Sequence, residues 1–588
     1  MPIRSRLRIE WRMMDNSKDR FAALLPYVGR QFVSVQAVLT DAAVVTQLYE
    51  SLLIRAVDSQ EDLEKLILDR SELDAALSQA GSVLYIEMTC ATDDLVKAKA
   101  YQDFVEQIEP AVKPLSHQLN ERFLALNAKY PLCPLRYEVY ERSSRAAVEL
   151  FVDKNIPIET QVSLLSQEYQ AVCGAMTVAF DGLERTMPEM GKFMFETDRT
   201  LRERAWRATA ERRLRDKDKL DDIFDKMRAL RGEIALNAGF KNFRDYQFKA
   251  YQRFDYTPED CKSYHRAVKE LVVPLRRAID LKRKKDMKLD VLRPWDGAVD
   301  PFGRAPLKPF EDVACLVSGV GRIFKKLDPQ LFDLYEDMKG LGLLDLASHK
   351  GKAPGGYQNT LTEARKPFIF MNAVGIDDDV RTLLHESGHA FHAYLCAEDP
   401  LDHYRHAPME FCEVASMSME LMGCDGLGEF YDDEGAGRSN VEHLEGVIST
   451  LAWVATVDAF QHWIYEYPGH TRTERREAWE RLNAEFGTGV TDWSGLDEER
   501  AYVWHRQLHI FEVPFYYIEY GIAQLGALQL WQQFRRDPSR ALANYKKGLS
   551  RGGSRPLPEL FEAAGIKFDF SKEIIGPLMD DVYREWET

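Results

Sequence analysis

The stretch from residue 385 to residue 389 reads H-E-S-G-H and constrains this chain more than any other. His385 and His389 are four residues apart, so on a helix they project from one face, about one turn apart. Two imidazoles in that arrangement can bind one Zn²⁺ ion, and Glu386 can then reach a water molecule on the metal. The pattern therefore predicts a zinc hydrolase that cuts peptides and carries one ion per chain.

The surrounding residues predict a helix of about 18 residues with the pattern in its interior. Asp377–Asp379 offer N-caps and negative charge for the first turn, and Pro400 ends the segment. His392 lies on nearly the same face as His389 and is a candidate for a rival ligand or a hydrogen-bonding partner. Three ligands from one helix would strain a tetrahedral site, which argues against His392 as a ligand.

A catalytic zinc site needs a third protein ligand and an open position for water. The longer pattern H-E-x-x-H-x-x-G-x-x-H fails, because Leu395 stands where its last histidine would be. A second helix, predicted over Pro408–Leu421, offers three carboxylates at Glu410, Glu413 and Glu420. Glu413 and Glu420 share a helix face, and Glu420 can accept a hydrogen bond from a ligand imidazole. The spacing favours Glu413 over Glu410 as the third ligand and leaves both open.

Several longer stretches resemble the oligoendopeptidase F branch of the thimet oligopeptidase family. Residues 382–392, followed by residues 411–416, are similar to the zinc site of that branch. Residues 351–357 and 367–372 precede the helix as they do there. The similar part runs from about residue 195 to the C-terminus, and the first 190 residues carry no recognised motif.

The resemblance implies roles for individual residues. It implies that His385, His389 and Glu413 bind zinc and that Glu386 is the general base. It also implies that His509 and tyrosines after it stabilise the transition state.

Tyr516 and Tyr520 are the candidates for these tyrosines. They are four residues apart and would share one helical face. Pro514 is predicted to start that helix, which places His509 in the preceding loop. Aromatic residues at this spacing are more often part of a core, so the assignment depends on the resemblance.

The substrate site is predicted around two stretches before the zinc-binding helix. Residues 367–372 alternate like a short strand, and in this family an edge strand near the metal pairs with the extended substrate backbone. Gly355 and Gly356 would allow close approach of the chain. With Tyr357 and Phe370 they form the predicted substrate-binding set. The alternative is an ordinary turn and a buried strand.

The fold class is predicted as mainly α, with a small sheet beside the metal. Strand-like stretches are few, at residues 83–88 and 367–372, and residues 198–237 are expected to form one long or two consecutive helices. The resemblance adds a two-lobed helical body around a deep substrate channel. We expect an N-terminal helical region over residues 1–195 and a catalytic helical region over residues 196–588.

Composition limits the possible partners and the compartment. The net charge of −17 argues against nucleic acid as a main partner. Eight scattered cysteines without a C-x-x-C pair fit reduced thiols in a cytoplasmic enzyme. Residues 1–6 lack an apolar segment typical of a secretion signal, and residues 447–460 are predicted as a core helix rather than a membrane span.

The predicted function is a zinc endopeptidase that hydrolyses internal bonds of short oligopeptides. The alternative is a zinc carboxypeptidase or dipeptidyl carboxypeptidase of similar helical fold, which needs a cationic group for the substrate's terminal carboxylate. A non-catalytic peptide-binding protein is a third possibility. Glu386 argues against it, because metal binding alone does not require that residue. The sequence does not specify the oligomeric state.

Overall fold

The structure is a computed structural model that describes residue 21 and residues 24–349, 351–353 and 355–587. Residues 1–6, for which no secretion signal is predicted, lie outside this part of the chain. Helices dominate the described residues, and the predicted mainly α fold class is confirmed. None of the described helices is both long and apolar enough to span a bilayer.

The N-terminal part consists of helices and one hairpin. Its helices are α1 (Ala42–Ile54), α2 (Gln60–Cys90), α3 (Leu95–Asp103), α4 (Glu109–Lys129), α5 (Pro134–Leu150), α6 (Ile156–Gly174) and α7 (Met187–Gly191), with a π-turn over Phe104–Ile108 between α3 and α4. The strand predicted at residues 83–88 is wrong, because these residues lie inside α2. A short apolar run has the same appearance in a strand and in a buried helix, and the long helix decides it here.

The middle of the chain is helical up to the central sheet. The helices are α8 (Arg199–Leu214), α9 (Lys217–Asn237), α10 (Phe243–Ala250), α11 (Pro258–Ala267), α12 (Val273–Asp286), α13 (Val313–Leu327) and α14 (Pro329–Gly340), with a π-turn over Val268–Val272. Residues 198–237 therefore form two consecutive helices, which was one of the two predicted alternatives; the other was a single long helix.

The C-terminal part carries the motif helix and its partners. Its helices are α15 (Asp377–Leu395), α16 (Asp402–Arg405), α17 (Met409–Met422), α18 (Asp433–Glu466), α19 (Arg472–Glu485), α20 (Asp497–Ala501), α21 (Leu508–Glu512), α22 (Ile518–Arg536), α23 (Pro538–Leu549), α24 (Leu557–Ala563) and α25 (Lys572–Glu587). Short 3-10 segments lie at Asp153–Asn155, Lys192–Phe195, Pro294–Asp296, Gly423–Glu429 and Val503–Arg506. The core helix predicted over residues 447–460 lies within α18.

Two small sheets accompany the helices. β1 (Thr177–Phe180) pairs with β2 (Leu183–Thr186) as a hairpin, and β3 (Leu344–Ala347), β5 (Lys366–Ala373) and β4 (Tyr357–Leu361) form a three-stranded sheet in the order β3-β5-β4. The strand predicted at residues 367–372 is present as β5, but it is the central strand, parallel to β3 and antiparallel to β4. The edge strands of this sheet are therefore β3 and β4, and β5 is not one of them.

Two large hydrophobic cores and one small cluster lie in the described part of the chain. The larger core includes apolar side chains of α9, α13, α15, α17, α18 and α22, and it surrounds the H-E-x-x-H helix. The smaller core lies among α1, α2, α4 and α5 and also includes Leu401 and Tyr404. Ile86 and Tyr169 pack in the larger core although they precede residue 195. The domain boundary at residue 195 stays a prediction.

Candidate metal centre

The start of α15 is fixed by Asp379. Its carboxylate accepts hydrogen bonds from the backbone N–H groups of Val374, Gly375 and Ile376 at 2.8, 2.7 and 3.0 Å. The helix N-cap is Ile376, so Asp379 acts from the first turn rather than as the N-cap residue. This arrangement satisfies donors that would otherwise be left unpaired where β5 turns into α15.

Gly388 lets the two ligand-bearing helices approach each other. A Cβ atom at Gly388 would lie 2.5 Å from the carbonyl oxygen of Ala415 and 2.6 Å from the Cα of Ser416. Both atoms belong to the backbone of α17, which cannot move aside alone. Only glycine is therefore compatible with this close contact between α15 and α17, and the contact brings the histidines of the motif opposite Glu413.

His385, His389 and Glu413 form one cluster, which we call the catalytic cluster. Their candidate ligand atoms all lie within 4.8 Å of one another. Glu413 Oε2 is 3.4 Å from His385 Nε2 and 3.6 Å from His389 Nε2. Ligands of a tetrahedral zinc with bonds of roughly 2.1 Å lie about 3.4 Å apart, so these three residues fit a Zn²⁺ ion.

The electrostatics of the catalytic cluster favour a cation. Burial opposes ionisation of Glu413, but His389 and His385 lower the pKa of its carboxyl to about 2. Burial likewise opposes protonation of His385, yet hydrogen bonds with Glu413 and Glu420 raise its pKa well above the ordinary value. Burial lowers the pKa of His389 to about 4. The Glu413 carboxylate therefore stays ionised at neutral pH and is available to a positive ion.

Glu420 orients His385. The two residues share a hydrogen bond of 2.6 Å between His385 Nδ1 and Glu420 Oε1. With Nδ1 donating to Glu420, loss of the other ring proton leaves a lone pair on Nε2, on the side of Glu413, which is the tautomer a metal needs. The other Glu420 oxygen lies 3.2 Å from His443 Nε2, a partner that the sequence did not predict.

The other candidate ligands lie elsewhere. Glu410 accepts a hydrogen bond of 2.8 Å from the hydroxyl of Tyr256 and lies 3.9 Å from Arg253 Nε. His392 is buried and packs on Phe411, with ring centroids 5.8 Å apart. The geometry therefore favours Glu413 over Glu410 as the third ligand, a choice that spacing alone left open.

Glu386 lies beside the catalytic cluster and next to strand β4. Its side chain is buried, and burial raises the pKa of its carboxyl to about 7, while the backbone of Gln358 in β4 acts in the opposite direction. A carboxyl group with a pKa near neutrality is suited to accept a proton and to pass it on.

The downstream histidine–tyrosine segment also reaches the catalytic cluster. The hydroxyl of Tyr516 lies 3.4 Å from Glu413 Oε1, and the hydroxyl of Tyr520 lies 3.4 Å from His509 Nε2. The helix predicted to start at Pro514 starts instead at Ile518, and His509 lies in the short helix α21.

Tyr516 therefore precedes helix α22 and does not share a helical face with Tyr520 as predicted. Phe515 has a φ of +70°, a left-handed conformation that turns the chain before α22. The rings of Tyr516 and Tyr520 still meet, with centroids 5.3 Å apart. The turn, rather than helical spacing, brings the two tyrosines together.

Comparison with known proteins identifies the family. The model of peptidase family M3 matches residues 193–578. The chain belongs to peptidase family M3. The predicted resemblance to the oligoendopeptidase F branch is confirmed, and it places the chain among the metalloproteases.

Individual relatives agree with the family. The chain is 26% identical to oligopeptidase PepF of Bacillus subtilis over 238 residues, which is 38% of this chain and 33% of that relative. A crystal structure of a protein assigned as an oligoendopeptidase F is 27% identical, with a TM-score of 0.88 over 95% of this chain and 99% of the other. PZ peptidase A with an inhibitor is 26% identical, with a TM-score of 0.85 over 95% and 98%.

These similarities differ in extent. The alignments with the curated relatives span only 33% to 38% of the relatives' length. The structural matches cover nearly the whole fold.

Gln507 is a site residue that the sequence did not reveal. Its amide nitrogen donates to His509 Nδ1 at 2.7 Å, and its oxygen accepts from Trp453 Nε1 at 2.9 Å. His509 Nδ1 is then an acceptor, so its proton lies on Nε2, towards Tyr520. Burial lowers the pKa of His509 to about 4, which keeps the ring neutral. A glutamine two residues before a histidine carries no recognisable pattern, and only the fold shows this role.

The predicted substrate residues lie at and beside strand β4. Gly355 has a φ of +96°, which favours glycine, and its carbonyl oxygen accepts from Asn372 Nδ2 at 2.9 Å. A Cβ atom at Gly356 would lie 3.4 Å from the carbonyl oxygen of Phe370. Tyr357 begins β4 and stacks on Phe370, with ring centroids 4.7 Å apart. Phe370 is fully buried beneath Tyr357, and its role in substrate binding stays a prediction.

Proposed function

We propose that this chain is a zinc-dependent endopeptidase that hydrolyses internal bonds of short peptides. One catalytic Zn²⁺ ion would be held by His385, His389 and Glu413. The observation that carries the proposal is the convergence of these three ligand atoms within 4.8 Å, with Glu386 beside them. When bound there, zinc would supply Lewis-acid polarisation of the scissile carbonyl group and of water.

Glu386 is proposed as the general base. It would take a proton from the attacking water and deliver it to the leaving amine, so that one carboxyl group serves both halves of the reaction. Its burial and its pKa of about 7 suit both steps. Its place between the catalytic cluster and β4 puts it next to the bond that would be cut.

Tyr516 is the proposed main donor to the oxyanion. Its hydroxyl is beside Glu413, whereas that of Tyr520 is beside His509. Burial raises the pKa of Tyr516, so the hydroxyl keeps its proton and can donate. His509, with its proton on Nε2, is proposed as a second donor from the same side.

Strand β4 is proposed to pair with the substrate backbone. It is the edge strand of the sheet next to α15, and its other side is paired with β5. An extended peptide added to this edge would run past Glu386, because Gln358 in β4 contacts that residue. Gly355 and Gly356 would allow the peptide to approach closely at the start of the strand. With the channel that the resemblance implies, this geometry admits short peptides and excludes folded proteins.

We also place the enzyme in the cytoplasm. All eight cysteines lie in the described part of the chain, and none forms a disulfide there. Free thiols in this number fit a reducing compartment.

Hydrolysis of a quenched fluorescent peptide in two forms, with a free and with an amidated C-terminus, tests the function. An endopeptidase cuts both forms at comparable rates, and mass spectrometry finds internal cleavage. Chelation should stop the reaction, and added Zn²⁺ should restore it. Loss of activity on the amidated form would favour the carboxypeptidase alternative, and activity that survives complete metal removal would exclude both.

A further inference from the structure

A second group of metal-ligand residue types lies in the larger core, away from the catalytic cluster. Cys261 and His265 are four residues apart on α11, and Asp458 and His462 are four residues apart on α18. Each pair projects from one face of its helix, and the two helices pack together. We call these four residues the buried cluster.

The side chains of the buried cluster converge. Candidate ligand atoms of Cys261, Asp458 and His462 all lie within 4.8 Å of one another. Asp458 Oδ2 is 2.8 Å from His265 Nε2 and 3.3 Å from His462 Nε2. The same distance relation defines the catalytic cluster, so Cys261, Asp458 and His462 are equally compact, and His265 joins them through its hydrogen bond to Asp458.

The buried cluster is closed to solvent. The exposed fraction of the side chain is 9% for His265, 0% for Asp458 and 3% for His462. Cys261 is also fully buried. A charged carboxylate in such a place needs a compensating positive charge.

Several polar atoms in the buried cluster make no hydrogen bond to the described part of the chain. These atoms are both ring nitrogens of His462 and the Oδ1 oxygen of Asp458. Each unpaired buried polar atom typically costs about 1–3 kcal/mol, so leaving three of them in one place is unfavourable. A hydrogen bond between His265 and Asp458 explains that pair alone, and it leaves His462 and Cys261 without a role.

We propose that the buried cluster binds a second Zn²⁺ ion, with Cys261, Asp458 and His462 as its protein ligands and His265 holding Asp458 through their hydrogen bond. One sulfur, one nitrogen and one oxygen form a donor set that suits zinc rather than Ca²⁺ or Mg²⁺, which prefer oxygen alone. The three protein ligands lie in a core that is closed to solvent, so no substrate can reach the ion and the ion is structural. The protein would then hold two ions, instead of the single ion predicted from the motif.

The charge balance supports this assignment. Zn²⁺ binds cysteine as the thiolate, so the Cys261 thiol loses its proton when the ion binds. Binding of Zn²⁺ releases that proton to solvent and leaves one thiolate and one carboxylate on a divalent ion. The site becomes neutral as a whole, which is the form that a buried site tolerates.

The second ion would also stabilise the segment that carries Tyr516. The ring of His462 packs on Phe515 with centroids 5.3 Å apart, and Phe515 directly precedes Tyr516. A metal bound to His462 would hold its ring in place, and this ring supports the left-handed turn at Phe515. Loss of the ion should lower kcat more than it raises KM, since the oxyanion donor is disturbed.

X-ray absorption at the zinc edge of the metal-replete, full-length protein tests the proposal without any mutation. The catalytic cluster contains no sulfur, so a zinc–sulfur distance of about 2.3 Å reports the buried cluster alone. We expect two zinc ions per chain and an average of one sulfur for every two ions. One ion per chain, or a spectrum without sulfur, would overturn the proposal.

Variants assign the sulfur to its residue. Cys261→Ser should lose one ion and the sulfur signal, and the matched control Cys396→Ser, at another buried cysteine, should keep both. If Cys261→Ser retains the sulfur signal, the assignment is wrong. His385→Ala should lose one ion and keep the sulfur, so failure of this inference is separable from failure of the proposed peptidase activity. Cys261→Ser can be unstable, and the wild-type spectrum then still decides.

Discussion

The catalytic cluster and the buried cluster are both built from residues at helical spacing, but their side chains differ in exposure to solvent. Each combines residues four apart on one helix with carboxylate or imidazole groups from a neighbouring helix. The histidine side chains of the catalytic cluster are 24% and 16% exposed, whereas those of the buried cluster are 9% and 3% exposed. Three ligands beside a free base suit catalysis, and ligands enclosed in a dry core suit a structural ion.

The two clusters also differ in what surrounds them. Glu386, Tyr516 and the edge strand β4 border the catalytic cluster, and the two histidines in it are partly exposed. Aromatic rings border the buried cluster, including Phe248 and Phe515 next to His462. Spacing of ligand residues thus makes a metal site, and the neighbouring elements decide whether that site is reactive.

The largest expected effect follows from removing a ligand of the catalytic cluster. Glu413→Ala should abolish peptide hydrolysis and remove one equivalent of metal, measured by elemental mass spectrometry, while the buried cluster keeps its ion. Glu410→Ala is the matched control on the same helix and should keep the metal, although it loses the contact with Tyr256. Metal loss in Glu410→Ala instead would reverse our choice of third ligand.

Glu386→Gln should separate metal binding from chemistry. We expect kcat/KM to fall by about 10²- to 10⁴-fold because the general base is lost. Metal content and the circular dichroism spectrum should match those of the wild type. Unchanged turnover of a quenched peptide would show that the catalytic cluster works without Glu386 as a base.

Tyr516→Phe should lower kcat by about 10²- to 10³-fold, since one oxyanion donor is removed. Tyr517→Phe removes a hydroxyl from the next ring and should have a much smaller effect. Steady-state kinetics of both variants are the measurement. Equal losses in the two variants would argue that the segment acts through packing rather than through the Tyr516 hydroxyl.

Glu420→Ala should weaken metal binding at the catalytic cluster about 10- to 100-fold, because His385 loses the partner that orients it. Competition with a chromophoric chelator measures the affinity. Glu434→Ala, at an exposed glutamate of α18, should leave it unchanged. A weaker zinc–sulfur signal in Glu420→Ala would contradict the independence of the two clusters.

Gly388→Ala should lower the free energy of unfolding by about 1–3 kcal/mol, because its Cβ would overlap the α17 backbone. The helices would have to separate, so metal affinity at the catalytic cluster should fall as well. Gly446→Ala is the matched control: its Cβ meets no atom within 4 Å, and it should stabilise by about 0.4–1 kcal/mol. Urea unfolding should show a lower free energy of unfolding for Gly388→Ala and a higher one for Gly446→Ala.

Some features could be predicted from the chain because they depend on nearby residues. The helix carrying residues 385 to 389 was predicted at about its observed length, and the returning helix with Glu413 was placed within one residue at each end. Helical periodicity is a local property, which explains this success. The strand predicted at residues 83–88 is wrong because the prediction used only local information. This apolar run is too short for its period to distinguish a helix from a strand.

Other features depend on contacts between distant segments. The position of β5 in the sheet requires β3 and β4 as neighbours, and its burial on both faces removes the alternation expected of an edge strand. The meeting of Tyr516 with Tyr520 depends on the turn at Phe515. The buried cluster joins residues of α11 to residues of α18, and nothing in either helix alone indicates the other.

The sequence by itself determined the chemistry of this protein: a histidine pair at helical spacing, a base between them, and a carboxylate on the following helix. Tertiary structure decided which carboxylate meets the histidines, which strand is left at the edge, and which tyrosine reaches Glu413. The physical reason is the distance along the chain over which each feature is determined. Spacing within one helix fixes side-chain directions locally, whereas a ligand set, a free strand edge or a closed core exists only once separate helices and strands have packed.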